Sequence, residues 1–249
     1  MTLPPPPAQL IEQVTTALDE LRSQLAAIDH SRYQQPCSLP GWSTAQMIAH
    51  LASFADAARR QLEHAGDNVP AMFDGGAAGR AEAINLAALM RPEALAAKAD
   101  TALAQLRAVL PLGLERWELA SAYRPGAQIA DMMFATWREM LVHATDLDAS
   151  VRPAASWPVE FSAHLLRALE ARVPAGSRIT LQPHGAQPIV LGTAQPASSN
   201  SWVLSGTDYD LAAWLAGRPA TGPVQATSGA DAASYPQLDP WPADRLMRR

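Results

Sequence analysis

The turn and helix start that decide the fold of this chain read SLPGWSTAQMIAHL, residues 38–51. The Pro-Gly pair indicates a turn, and Ser43 with Gln46 three positions later forms the pattern of a capping box, which satisfies free backbone amides at a helix start. Apolar residues then recur at helical spacing and define a buried face: Met47, Ile48, Leu51 and Phe54. His50 lies among them, so we predict that its side chain points inward.

Three further long helices are predicted around this one. A stripe at three- and four-residue steps predicts the first: Leu10, Ile11, Val14, Leu18, Leu21, Leu25 and Ile28. The glycine-rich segment 67–79 is predicted to be a loop. The third helix, in one or two pieces, has helical character around Ile84 and restarts at Pro92, a favoured first-turn residue. The fourth carries Met132, Met133, Trp137, Met140, Leu141, Ala144 and Leu147. Four long helices predict a bundle.

The pattern changes after residue 153. A helix over 159–173 is followed by three short strand patterns and a short helix: residues 178–182, 188–192, 201–205 and 208–216. The tail from Ala220 is predicted to be irregular. The sequence therefore predicts a four-helix bundle over residues 1–153 and a small α+β domain over residues 154–249.

Composition excludes several classes of function. The formal net charge of -5 gives no basic field for nucleic acid, and no apolar run is long enough to span a bilayer. The start has no signal-peptide pattern, so we expect a cytoplasmic protein. The single cysteine, Cys37, excludes an internal disulfide and a cysteine-cluster metal site. The expected partners are a small-molecule substrate and no nucleic acid or membrane.

The fourth helix carries a second candidate motif, WREMLVHATDL, residues 137–147. Glu139 and His143 are four residues apart, so they project from one face of a helix. With His50 they form two imidazoles and a carboxylate, the donor set of an open catalytic zinc site. Asp146 lies one turn beyond His143 and can accept a hydrogen bond from its distal ring nitrogen. From these residues alone, a surface ion pair on the fourth helix and a core histidine at position 50 remain alternative interpretations.

Three segments carry a resemblance to known enzymes. Residues 38–51 resemble the signature of the DinB-like metalloenzyme superfamily, in which Gly-Trp precedes a helix with a ligand histidine. Residues 138–147 resemble the second ligand motif of the mycothiol-dependent maleylpyruvate isomerase family. Residues 203–206 and 211–218 are similar to the small second domain of that family, whose Gly-Arg places an active-site arginine, here Arg218.

This resemblance implies a zinc ion, or another divalent metal, bound by His50, Glu139 and His143, with mycothiol as the low-molecular-weight thiol cofactor. Arg218 would be the catalytic cation facing the substrate; without the resemblance, it would be interpreted as a surface residue after a helix end. The implied reaction is isomerisation of maleylpyruvate to fumarylpyruvate, or of a close analogue, by reversible thiolate addition. Two alternatives remain: a mycothiol S-transferase acting on an electrophile, and a non-catalytic metal-binding or ligand-binding protein.

The glycine-rich segment does not indicate a phosphate-binding loop. It lacks the preceding strand and the Lys-Ser/Thr pair that such loops need, so a flexible connection is the better interpretation. Arg80, which follows it, remains a candidate anion contact in a cleft.

Overall fold

A computed structural model describes residues 4–66, 68–193, 200–228 and 235–241 of the chain. The described residues form two compact units. One spans residues 5–148 and is helical. The other consists of Pro4 and the described residues from 149 onward and has both helices and strands. The predicted fold class is therefore confirmed, whereas the domain boundary at residue 153 stays a prediction about which parts fold independently.

The first unit is built on four long helices: α1 (Pro7–Ala27), α2 (Thr44–Glu63), α4 (Pro92–Val109) and α6 (Ile129–Leu147). Each of α1 and α2 packs against both α4 and α6, so the four helices form a closed bundle. Five residues of the predicted apolar stripe of α1 are buried: Leu10, Val14, Leu18, Leu21 and Leu25. Ile11 is only half-buried, and Ile28, also half-buried, follows the end of the helix. Full burial of such side chains stabilises the fold by about 1.5–3 kcal/mol each.

Two shorter helices complete this unit, α3 (Gly76–Ala88) and α5 (Leu112–Glu115). The predicted loop over 67–79 is wrong at its C-terminal end, because α3 begins within it; Asp67 itself lies outside the described residues. Gly75 precedes α3 with a left-handed φ of 69°. A Cβ at Gly79 would meet the carbonyl oxygen of Asp74 at 2.2 Å. These glycines therefore allow a tight helix start rather than a flexible loop.

The capping box of α2 forms as predicted. The Ser43 hydroxyl oxygen accepts a hydrogen bond from the backbone amide of Gln46, and the Gln46 side chain accepts one from the backbone amide of Ser43. This cap fixes the first turn of α2 and thereby the face on which His50 lies.

The second unit contains α7 (Val159–Ala168), α8 (Asp208–Ala216) and a four-stranded sheet in the order β2-β1-β3-β4. The strands are β1 (Arg178–Pro183), β2 (Ile189–Gly192), β3 (Ser201–Gly206) and β4 (Gln225–Ser228). β1 and β3 are parallel, and the two outer pairs are antiparallel. The helices α7 and α8 pack on each other, and α8 also packs on β1 and β3.

The predicted irregular tail is wrong at β4, which pairs with the edge of β3 across a register shift between Val203 and Leu204. The rest of that prediction falls partly on residues 229–234 and 242–249, which lie outside the described residues. Among the helices that the structure describes, none has the length and apolarity needed to cross a lipid bilayer.

Candidate metal centre

Helices α2 and α6 pack against each other and bring His50 to Glu139 and His143. His50 is 8% exposed, and its neighbours Ile48, Ala49 and Leu51 on α2 are buried with it. Glu139 and His143 lie one turn apart on α6 and are half-buried. The structure thus brings together the three residues that the sequence singled out as candidate ligands.

Glu139 is the centre of this cluster. Its Oε2 atom lies 2.8 Å from Nε2 of His50 and 3.3 Å from Nε2 of His143. Each of the three residues offers one ligand atom, and these atoms all lie within 4.8 Å of one another. The two imidazole rings meet edge to face, with centroids 4.6 Å apart.

The donor set fits a divalent cation. A tetrahedral zinc ion about 2.0–2.1 Å from its donors separates any two of them by about 3.3–3.4 Å. Observed separations of 2.8 and 3.3 Å therefore need only small side-chain adjustments to accept an ion. Two nitrogens and one carboxylate leave a fourth position of a tetrahedral ion for an external ligand.

Asp146 orients His143. The Nδ1 atom of His143 lies 2.7 Å from Oδ2 of Asp146, whose side chain is 2% exposed. Because Nδ1 donates to this carboxylate, Nε2 is directed towards Glu139 and the candidate ion. The predicted hydrogen bond is confirmed. The backbone carbonyl of Asp146 also accepts from the amide of Ser38, which ties the end of α6 to the turn before α2.

The charges of the metal-free cluster follow from these contacts. Burial lowers the pKa of His50, so this imidazole is neutral at neutral pH. Burial opposes ionisation of Glu139, but hydrogen bonds with His143 and His50 outweigh it and hold the pKa of Glu139 well below its usual range. Burial also opposes the charged form of His143, yet hydrogen bonds with Asp146 and Glu139 raise the pKa of His143 to about 9. A bound cation would therefore replace the proton of His143 as the positive charge facing Glu139.

Two further side chains contact His50. The ring of Trp42 packs edge-on against it, with centroids 5.7 Å apart. Nη2 of Arg80, from the first turns of α3, lies 3.3 Å from Nδ1 of His50. The sequence suggested Arg80 only as an anion contact. No local sequence pattern predicts the contact between Arg80 and His50, because that contact depends on how α3 packs on α2.

Arg218 lies in the second unit, directly after α8. Gly217 ends α8 with a left-handed φ of 70°, and the amide of Arg218 donates to the carbonyl of Ala213 at 2.8 Å. Its guanidinium donates to the carbonyl of Ala216 at 2.7 Å and lies 5.2 Å from the ring centroid of Trp241. The turn thus fixes the position at which this cation leaves the helix; its catalytic role remains a proposal.

Comparisons with known proteins agree with this architecture. A family model described as the mycothiol maleylpyruvate isomerase N-terminal domain matches residues 14–148, and one described as the MDMPI C-terminal domain matches residues 156–236. The chain belongs to this family. The first match contains every candidate ligand, and the second contains Arg218.

Two solved structures share the fold. They are a mycothiol-dependent maleylpyruvate isomerase and a histidine-to-alanine mutant of that enzyme. Each is 21% identical to this chain, with a TM-score of 0.82, and the alignment covers 97% of this chain and 100% of the other. A comparison with curated proteins found no match.

Proposed function

We propose that this protein is a zinc- and mycothiol-dependent cis-trans isomerase that converts maleylpyruvate, or a close analogue, to the trans isomer fumarylpyruvate. Membership of the mycothiol maleylpyruvate isomerase family supports the reaction. The observation that carries the proposal is the convergence of His50, Glu139 and His143, whose ligand atoms lie within 4.8 Å of one another. Location in the cytoplasm and the absence of a nucleic-acid partner stay predictions.

The proposed metal ligands are His50, Glu139 and His143. When bound there, a divalent ion stabilises an external thiol as its thiolate, a nucleophile able to add reversibly to a conjugated double bond. The chain's own residues prepare that position: Asp146 holds the imidazole of His143 in the orientation that directs Nε2 to the ion.

The thiol must come from outside the chain. Cys37 is its single cysteine. Burial raises the pKa of Cys37, and its Sγ lies 3.8 Å from the carbonyl oxygen of Leu39. A thiol with a raised pKa is a poor nucleophile at neutral pH, which favours a separate low-molecular-weight thiol such as mycothiol.

Arg218 is proposed to bind the substrate and to stabilise the negative charge that develops on its carbonyl group. A guanidinium is always charged and presents paired donors to a carboxylate or an enolate. The ring of Trp241 lies close to the guanidinium of Arg218 and restricts its orientation.

The direct test is an assay of maleylpyruvate isomerisation by the zinc-loaded protein, with and without mycothiol. We expect turnover only when both are present and a thiol concentration that is unchanged at completion. Loss of thiol in proportion to product would instead identify an S-transferase. Stoichiometric zinc without any thiol-dependent reaction would identify a binding protein.

A further inference from the structure

Arg80 lies between the candidate metal centre and a cavity of about 650 Å³. The cavity is lined by residues of α2, α3 and α4 and of the segment before α3. Besides Arg80, its charged lining residues are Asp56, Arg60, Asp74 and Lys98. The guanidinium carbon of Arg80 lies 4.1 Å from the ring centroid of Phe73, which also lines the cavity. The same side chain therefore contacts both the metal-site histidine and the space in which a small molecule would fit.

Arg80 differs from several arginines of this bundle because no carboxylate of the described residues pairs with it. Arg59, Arg107 and Arg124 each pair with a carboxylate. Within the described part of the chain, Arg80 forms no such ion pair. Its buried Nε atom has no hydrogen-bond partner, a property that it shares with Arg59, Arg60 and Arg124.

A guanidinium remains charged in proteins, and leaving a buried donor of a charged group unpaired is costly. Burial lowers the pKa of Arg80 and outweighs the Glu139 carboxylate, which favours the charged form of Arg80. Among the described residues no carboxylate pairs directly with this guanidinium, so its Nε donor is open to a further anion.

The unpaired atom belongs to the edge that binds carboxylates. Nε and Nη2 of a guanidinium donate in parallel to the two oxygens of a carboxylate. Arg107 shows this geometry, because its Nε and Nη2 donate to the two oxygens of Asp19 at 2.7 and 2.9 Å. In Arg80, Nε is free among the described residues, and Nη2 lies against Nδ1 of His50.

Metal coordination by His50 would break the contact that occupies Nη2 of Arg80. A neutral imidazole that coordinates through Nε2 carries its hydrogen on Nδ1. Nδ1 of His50 and Nη2 of Arg80, which lie 3.3 Å apart, would then both be donors and would no longer form a hydrogen bond. The Nε and Nη2 donors of Arg80 would become available together beside the ion.

We propose that Arg80 binds a carboxylate of the substrate, and that its paired donors become available when a metal ion binds His50. This inference rests on the proposed function, in which the substrate is an unsaturated keto diacid. Arg80 would then be a substrate-binding cation within the helical unit, and its binding of an anion would depend on metal binding at His50.

The test is calorimetric titration of maleate, a cis-unsaturated dicarboxylate, into metal-free and zinc-loaded protein with no thiol present. We expect the zinc-loaded parent to bind maleate more tightly than the metal-free parent. Arg80→Gln should weaken maleate binding to the zinc-loaded protein at least about tenfold, because two charge-assisted hydrogen bonds are lost. Arg80→Lys should restore only part of the affinity, since lysine cannot form the paired contact.

Zinc affinity, measured by chelator competition, is the second readout. Arg80→Gln removes the positive charge beside the proposed zinc site and the hydrogen bond from Arg80 to His50. We therefore expect this variant to bind zinc as tightly as the parent or more tightly. Arg91→Gln removes the charge of an exposed arginine outside the cavity lining and is the matched control. We expect its maleate and zinc affinities to remain within about twofold of the parent.

Three results would overturn the inference. The first is undetectable maleate binding by the zinc-loaded parent, and the second is equal maleate affinity of the zinc-loaded parent and Arg80→Gln. The third is a zinc affinity of Arg80→Gln that is lowered about 10- to 100-fold, as expected for a residue that merely orients His50. Isomerase activity of the parent is a separate measurement. A parent without that activity whose maleate binding still depends on Arg80 would refute the proposed function and leave the carboxylate site standing.

Discussion

Substitution of Asp146 by asparagine tests how the chain tunes its proposed metal centre. The Asp146 carboxylate accepts a hydrogen bond from His143 at 2.7 Å, and both side chains are shielded from solvent, with exposures of 2% and 15%. Asparagine is nearly isosteric and its amide oxygen can still accept this hydrogen bond, so the variant removes the negative charge and keeps the imidazole orientation. The expected effect is therefore on the basicity of His143 as a ligand.

The magnitude follows from the burial of this pair. Loss of such an orienting partner costs about 10- to 100-fold in metal affinity, or about 1.4–2.8 kcal/mol. Because Asp146→Asn keeps an acceptor, we expect a loss of about tenfold. Asp146→Ala removes the acceptor as well, so its loss should approach about 100-fold.

Zinc dissociation constants of the parent and both variants, measured by competition with a chelator, provide the assay. Asp148→Asn is the matched control, because Asp148 lies two residues further along and pairs with Arg32 at the surface. Its zinc affinity should stay within about twofold of the parent. If Asp146→Asn and Asp146→Ala both bind zinc as tightly as the parent, Asp146 does not tune a metal ligand and the reasoning is refuted.

Three further predictions concern pH, substrate and fold. Since the pKa of His143 is raised to about 9 in the metal-free protein, zinc must displace a proton from His143 below that pH. Zinc affinity should therefore rise about tenfold per pH unit from about pH 6.5 to 8.5, and an affinity that does not change with pH would contradict the proton displacement. Arg218→Ala should retain stoichiometric zinc yet lose turnover, and Arg218→Lys should recover only part of it; unchanged kinetic constants would rule out the assigned role. Ser43→Ala should lower the free energy of unfolding by about 1 kcal/mol in urea titrations, since the hydroxyl caps α2; an unchanged midpoint would exclude that contribution.

The long helices could be predicted because their signals are local. Apolar spacing defines the buried face of α1, and the Ser43 cap sets the start of α2. The spacing of Glu139 and His143 places both on one face of α6 in any helix that forms there. Local patterns therefore placed these side chains on buried helix faces. Their grouping with His50 as a metal-ligand set came from the resemblance to the mycothiol-dependent maleylpyruvate isomerase family, because the residues alone left a surface ion pair and a core histidine as alternatives.

Other features depend on tertiary contacts that no local pattern encodes. The glycines at the start of α3 indicated a loop, although Gly79 is required by the close approach of the Asp74 carbonyl. β4 has no alternating apolar pattern and forms because the edge of β3 offers unpaired backbone groups. The contact of Arg80 with His50 joins α3 to α2 through two side chains thirty residues apart.

Elemental analysis of purified protein tests the central claim most directly. After loading with zinc and removal of excess metal, the parent should hold one zinc ion per chain. His50→Ala, Glu139→Ala and His143→Ala should each hold almost none, because a three-ligand site that loses one ligand binds metal poorly. Stoichiometric zinc in two of these variants, or none in the parent, would contradict a metal centre formed by these residues.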